Sequence, residues 1–349
     1  MVSDVLVIGG GIIGIATAWE LAKAGVKVCV VERGTCGQGA SWAAAGMLAP
    51  QAEQLTGDLL ALGIKSRSLY PQWIKEIQGV TGQSCGYWCC GIIAPLFNGE
   101  APPSEYYRDR SALLQRQPEL GEKVTGGMWY VEDGQVDNRL LMQNLLLAAR
   151  LQGVEIREGV NVVGFNTNNG QITSVQTPQG ELVAGHYLLA SGAWSRELLP
   201  VPVQPRKGQM LSFFDPQRRL QQVIYAPGAY IVPRQDGTIV LGATVEDVGF
   251  LPGITAGGIN SLLSNAIAVL PFLADLPITE TWWGFRPYAP KEIPLLGATK
   301  YENLTIGTGH YRNGILWAPI TAHLLSRWIL GQTADPLVQE FLPFLQSST

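Results

Sequence analysis

Gly9, Gly11 and Gly14 stand in the spacing G-x-G-x-x-G, between an apolar run at residues 4–8 and a segment of helical apolar spacing at 15–24. The first glycine permits a tight strand-to-helix turn, the second lets backbone approach a pyrophosphate, and the third lets the helix sit close to the sheet. The helix N-terminus adds free N–H groups and a positive dipole end for phosphate. Glu32 ends the next apolar run, 26–31, where a carboxylate can accept from both ribose hydroxyls and repel a 2′-phosphate. The plain alternative is a glycine-rich turn beside a surface glutamate. These residues alone leave NAD and FAD both open. Far along the chain Arg286 lies in an aromatic, charge-poor stretch, Trp282-Trp283-Gly284-Phe285-Arg286-Pro287-Tyr288. A guanidinium fork there could fix a carboxylate in position and rotation, or could simply stack on tryptophan at the surface.

These groups need a scaffold, and its elements are visible. Residues 4–8 and 26–31 have the continuous apolar character of buried parallel strands, joined by a helix over 15–24 with Gly25 at its C-terminus. Asp137 is placed to cap a helix over 138–152. Strands are predicted at 155–156, 160–165, 172–177, 182–184 and 187–190, with turns at Asn168-Asn169-Gly170 and Pro178-Gln179-Gly180. Residues 229–233 and 238–243 flank Arg234-Gln235-Asp236-Gly237 as a hairpin in which Tyr230 shares a face with Val232. A helix over 259–270, a strand over 304–306 and a last helix over 315–330, opened by Gly314, complete the pattern.

Composition narrows the class. The balance of 24 Lys+Arg against 28 Asp+Glu, 24 − 28 = −4, argues against a nucleic-acid partner. The apolar stretch 5–19 is too short to cross a bilayer and has no signal-peptide flanks, so a cytoplasmic protein without a membrane partner is expected. Five cysteines in so long a chain are expected to be free thiols, and Cys85, Cys89 and Cys90 lack a second ligand pair with zinc spacing. No metal is expected, and the three histidines form no dyad-like pattern.

The segment from Arg33 to Pro50, rich in small residues, together with Tyr230-Ile231-Val232-Pro233-Arg234, Gly242-Ala243-Thr244, the Trp283–Pro287 stretch and residues 309–316, resembles the D-amino-acid-oxidase family of FAD enzymes, most closely the glycine oxidases of thiamine biosynthesis. The matches keep the same order from residue 5 to residue 320. The resemblance implies an α/β fold: a Rossmann-like FAD-binding domain (1–78, 136–197, 284–349) interleaved with an α+β substrate domain of mostly antiparallel sheet (79–135, 198–283).

It also implies the site. Ile12 and Ile13 would meet the pyrophosphate, Glu32 and Arg33 the adenosine side, and Ala40, Ser41, Ala45, Gly46 and Met47 the flavin end. Val162 would serve the adenine side by its backbone, and Gly192 belongs to the same cofactor set. His310, Tyr311, Arg312, Asn313, Gly314, Ile315 and Leu316 would close over the flavin ring, with amides of the helix opened by Gly314 at its N1–C2=O edge; such a donor is worth about 3 kcal/mol. Arg286 would hold the substrate carboxylate, Tyr230 would cover the substrate, Arg312 would stand near both, and Met47 and Val245 would form walls.

The implied reaction passes hydride from the α-carbon of glycine, another small amine or a D-amino acid to flavin N5. The imine hydrolyses to glyoxylate or a keto acid plus ammonia, and O2 returns the flavin to its oxidised form with release of H2O2. Expected partners are the small substrate and O2; homo-oligomer formation is left open. Alternatives are a quinone-linked D-amino-acid dehydrogenase, a sarcosine or larger D-amino-acid oxidase, and a non-catalytic flavin-binding protein. Around Tyr288-Ala289-Pro290-Lys291-Glu292 the chain departs from the family, which often has a glycine-rich, less charged turn there.

Overall fold

Alternation along two apolar strands sets the architecture. In Ser3–Ile8 and Val28–Glu32, Val5, Val7, Val28 and Val30 face one core, whereas Leu6, Ile8, Cys29 and Val31 face another. A strand buried on both faces belongs in the middle of a covered parallel sheet. The computed structural model, which describes residues 3–97 and 102–332, has that sheet. Its six strands run in the order Leu295–Ala298, Leu304–Thr308, Ala184–Leu189, Ser3–Ile8, Val28–Glu32 and Glu155–Glu158. All neighbours are parallel except the first pair.

Helices Ile12–Lys23, Gly57–Thr81, Asn138–Leu151 and Ala318–Ile329 cover one face through Trp19, Tyr70, Leu145 and Leu325. The three-stranded sheet of Gly164–Asn168, Gln171–Thr177 and Gly180–Leu182 contributes Ile172 and Val175 to the other. Asp137 caps as expected, accepting from the amides of Arg139 at 3.0 Å and Leu140 at 3.1 Å.

The second sheet has eight strands, in the order Ile278–Tyr288, Gln204–Phe214, Thr238–Gly242, Ala229–Pro233, Val223–Ala226, Ile92–Leu96, Gly126–Tyr130 and Tyr107–Asp109. Only Val223–Ala226 with Ile92–Leu96 is a parallel pair. Helix Ala256–Val269 packs on its outer face against Leu211, Phe213, Ile231 and Leu241. The inner face carries Met210, Tyr230, Val232 and Trp282 toward residues 43–52 of the first part. Tyr230 and Val232 thus share a face, and Ile231 points away. This mixed α/β fold is the predicted one.

Local expectations shift in several places. Residues 160–163 form no strand; the strand is Gly164–Asn168. The run at 182–184 is split between two sheets, Gly180–Leu182 in one and Ala184–Leu189 in the other. Strand Ile278–Tyr288 stays in the antiparallel sheet across the domain boundary expected at 283/284, because it pairs with Gln204–Phe214 as far as Tyr288. The end of the FAD-binding span, 333–349, lies outside the described residues. The helix Gly57–Thr81, with Pro71 inside it, is not anticipated by the sequence pattern. Among the described residues no helix is long and apolar enough to cross a membrane.

Candidate active site

A cavity of about 560 Å³ runs between the two sheets, from Glu32 and Arg33 at one end to Tyr230, Arg286 and Arg312 at the other. At the first end the three glycines divide their work as the spacing requires. A Cβ on Gly9 (φ +115°) would fall 2.4 Å from the Ala190 carbonyl oxygen, and one on Gly14 would fall 2.0 Å from the Gly9 carbonyl oxygen. Gly14 therefore acts by packing and does not line the cavity. At Gly11 the nearest atom is Ser41 Oγ, 3.5 Å away, so the backbone there is bare toward the cavity. The Ile12 amide donates to Ser41 Oγ at 3.0 Å. Glu32 accepts from the Gly10 amide at 2.8 Å and from the Gly34 amide at 2.9 Å, which fixes both carboxylate oxygens. Arg33 stacks on the Trp194 ring, 3.9 Å from its centroid.

The middle of the cavity is walled by Ile13, Ala40, Ser41, Ala45, Gly46, Met47, Val162, Gly192 and Val245. The 41–46 stretch is held from outside. Buried Arg234 donates to the Ala45 carbonyl at 2.9 Å, to Asn138 Oδ1 at 3.0 Å and to Gln135. Asn138 in turn donates to the carbonyls of Ser41 at 2.8 Å and Trp42 at 2.9 Å. A Cβ on Gly46 would fall 1.9 Å from the Val136 carbonyl oxygen, so only glycine lets this loop lie so close. Arg234 and Asn138 are absent from the expected site because their work is done on backbone carbonyls that only the fold brings near.

Residues 310–317 close the far side, with one correction. Gly314 does not open a helix: 314–317 form a turn, and the helix begins at Ala318. The carbonyls of Ile315 and Leu316 accept from Tyr70 and from Ser66 (2.6 Å for the latter), both on the long helix Gly57–Thr81. The amides of Gly314, Ile315 and Leu316 donate to no protein acceptor among the described residues. His310, Tyr311, Arg312, Gly314 and Ile315 line the cavity; Asn313 and Leu316 do not. Asn313 receives Trp317 N–H at 2.8 Å, and Leu316 packs in the core behind. Burial drives His310 down to about 3, and its Nε2 lies 3.1 Å from Thr321 Oγ1, so it is a neutral wall residue.

The substrate end carries two guanidinium groups. Arg286 Nη1 donates to the Thr244 carbonyl at 3.1 Å, and among the described residues it has no ion-pair partner. The guanidinium rests on Gly208, where a Cβ would fall 2.4 Å from Nη1. Tyr230 lies over Gly242 in the same way, with a Cβ 2.6 Å from its hydroxyl oxygen. Burial pushes the Tyr230 phenol upward, and Arg286 opposes it. Arg312 sits 3.7 Å from Glu53 and 3.4 Å from Glu292. Those carboxylates hold its guanidinium protonated despite burial.

Glu53, Tyr225, Gly208 and Gly242 were not among the expected site residues. Gly208 is opposite Gly284 and Gly242 opposite Tyr230 in the sheet register. A glycine directly opposite Tyr230 across the hairpin was the one available signal, at Gly242.

With the geometry in hand, likeness to known proteins can be assessed. The family model described as "FAD dependent oxidoreductase" (DAO) matches residues 4–328. A bifunctional protein ThiO/ThiG of Trichormus variabilis is 47% identical over 98% of this chain but only 55% of its own length. The chain thus spans about half the length of that relative. A glycine oxidase of Pseudomonas putida is 32% identical, with 97% of each chain covered. The crystal structure of glycine oxidase from Geobacillus kaustophilus superposes with a TM-score of 0.92 at 30% identity, covering 99% of both chains.

Proposed function

The chain belongs to the FAD-dependent oxidoreductase family, alongside the glycine oxidases, and from that premise we propose that it oxidises glycine, other small amines or D-amino acids. The residues present fit the cofactor: bare backbone at Gly11, a carboxylate fixed at Glu32, and three amides at 314–316 without protein acceptors. FAD supplies a two-electron acceptor for the substrate Cα–H bond. Everything else is the work of the chain. Glu32 would take the ribose hydroxyls, Ser41 and the amides after Gly11 the phosphates, and the 314–316 amides the polar edge of the ring system. In this reading the six-stranded sheet and its helices carry the dinucleotide, and the eight-stranded sheet, with Arg286 in strand Ile278–Tyr288, carries the substrate side.

The observation that bears most weight is Arg286, a cation at the cavity end opposite Glu32 with only carbonyl partners. It would grip the substrate carboxylate, and Tyr230 would cover the amino acid and keep water out. Orientation is the main demand on the site, and buried His310, held neutral at about pH 7, adds no charge to it. The imine product hydrolyses to glyoxylate or a keto acid plus ammonia, and the electrons pass to O2 to give H2O2. The longer ThiO/ThiG relatives support a place in thiamine formation, as supplier to a thiazole-forming step. Five unpaired cysteines suit the reducing cytoplasm.

The test is a panel of amines and amino acids assayed for peroxide with O2 as acceptor, on native protein and on Arg286→Leu. Native protein should be yellow, bleach with glycine in the absence of O2, and release peroxide. The variant should need about a hundredfold more glycine for half-saturation, since a buried charge-assisted pair is worth about 2–3 kcal/mol. An unchanged glycine requirement would remove Arg286 from the carboxylate role.

A further inference from the structure

The two guanidinium groups at the substrate end are not equivalent. Arg286 Nη1 meets the carbonyls of Thr244 at 3.1 Å and Lys207 at 3.5 Å, and no carboxylate lies within ion-pair distance among the described residues. Arg312 is flanked by two acids, Glu53 at 3.7 Å and Glu292 at 3.4 Å. Glu53 is buried, with its side chain 6% exposed, and its Oε2 accepts no hydrogen bond. The loop that bears it is fastened on the side of residues 51 and 52. The Ala52 amide donates to Asp133 at 3.0 Å, and Gln51 bonds Arg67 at 2.8 Å and Tyr106 at 2.9 Å. Glu292 reaches Arg312 from the rim, on a turn where Lys291 and Glu292 both take positive φ, 57° and 59°.

We propose that Glu53, reinforced by Glu292, is a specificity-determining residue that cancels the charge of Arg312, so that the site accepts amines with one carboxylate and disfavours those with two. The inference rests on the reading of Arg286 as the carboxylate anchor. A substrate carrying a second carboxylate would have to set it beside Arg312, where it meets Glu53 at similar range. Attraction and repulsion then offset one another, whereas a single carboxylate on Arg286 meets a cation that has no acid within ion-pair distance among the described residues and feels Glu53 only from farther away.

Burial pushes the Glu53 carboxyl upward while Arg312 and Arg286 pull it down, so each comparison is repeated across a range of pH from about 6 to about 9. Native holoenzyme, Glu53→Gln and Glu292→Gln are compared in two assays. The first is kcat/KM for glycine and for iminodiacetate by peroxide release. The second is the binding of glycolate and of malonate, read from the absorbance of the bound flavin. Glu53→Gln should raise the iminodiacetate-to-glycine ratio about tenfold or more, with a matching gain of malonate over glycolate. Glu292→Gln, on the rim, should move both ratios the same way by about threefold. Ratios within about twofold of native in both variants, with glycolate still bound, overturn the proposal and leave the Arg286 reading intact. Failure of glycolate to bind native protein overturns the Arg286 reading itself. Should Glu53→Gln lose its flavin, the Glu292→Gln ratios decide, and no shift there counts against the proposal.

Discussion

Replacing Gly208 by alanine separates placement of Arg286 from its presence. Gly208 lies in the extended strand Gln204–Phe214, opposite Gly284, and its φ is not positive, so an alanine costs the backbone nothing locally. The new Cβ would sit 2.4 Å from Nη1, 2.5 Å from Nη2 and 2.6 Å from Cζ of Arg286, and those are its three nearest atoms. Ordinary contact needs about 3.5 Å, so the guanidinium must retreat by about 1 Å. Because the end of a long side chain gives way easily, stability should change by less than about 1 kcal/mol. The loss falls on substrate orientation, where a displacement of 1 Å can cost about a hundredfold. Thermal melting, flavin content and steady-state peroxide release on glycine measure the three terms. The expected result is native melting, native colour and kcat/KM lower by about 10- to 100-fold, mostly in KM. A simple amine without a carboxylate should lose far less. If Gly208→Ala keeps kcat/KM for glycine within about twofold, the guanidinium does not work from the position described, and the anchor reasoning fails.

Glu32→Ala removes the acceptor held by the Gly10 and Gly34 amides together with the proposed ribose contact. Flavin release followed by fluorescence should show affinity weakened by about 10- to 100-fold, each hydrogen bond to a charge being worth about 1.5–3 kcal/mol. Arg234→Met strips the buried anchor from Ala45, Asn138 and Gln135 and leaves their acceptors unpaired. Urea unfolding should report a loss of about 3–5 kcal/mol. His310 is held down to about 3 against an ordinary 6.5, so the unfolded chain binds the extra proton between those values. Its contribution is complete above pH ~6.5 and is lost as pH falls toward the folded value, with a slope of at most about 1.4 kcal/mol per pH unit. His310→Gln should flatten the acid limb of a stability–pH curve measured by denaturant unfolding.

What could be read in advance follows a physical division. The first strand–helix–strand, the Asp137 cap, the hairpin around Arg234–Gly237 and the shared face of Tyr230 and Val232 all rest on local chemistry: apolar period, side-chain capping, turn residues. The helix Gly57–Thr81 was hidden by four signals against it, Gly57, Gly63, Pro71 and Gly79; its buried residues are held by distant partners, among them helix Asn138–Leu151, the last helix and the turn before that helix. The last helix starts at Ala318 and not at Ile315, and the turn before it packs against Ser66 and Tyr70, some 250 residues away, which donate to the carbonyls of Leu316 and Ile315. Glu53 stood in a plain Ala-Pro-Gln-Ala stretch with nothing in its neighbours to mark it. Its partner Arg312 is distant in sequence, and only tertiary structure joins them. Gly208 likewise has meaning only through the strand register.

The same long-range ties impose an order on biosynthesis. The nucleotide end is specified within the first 46 residues, but strand Leu304–Thr308 completes the parallel sheet and residues 310–316 supply the opposite wall. Until the ribosome has released that last stretch, the growing polypeptide offers half a cradle, so the dinucleotide can be enclosed only after residues 310–316 have emerged.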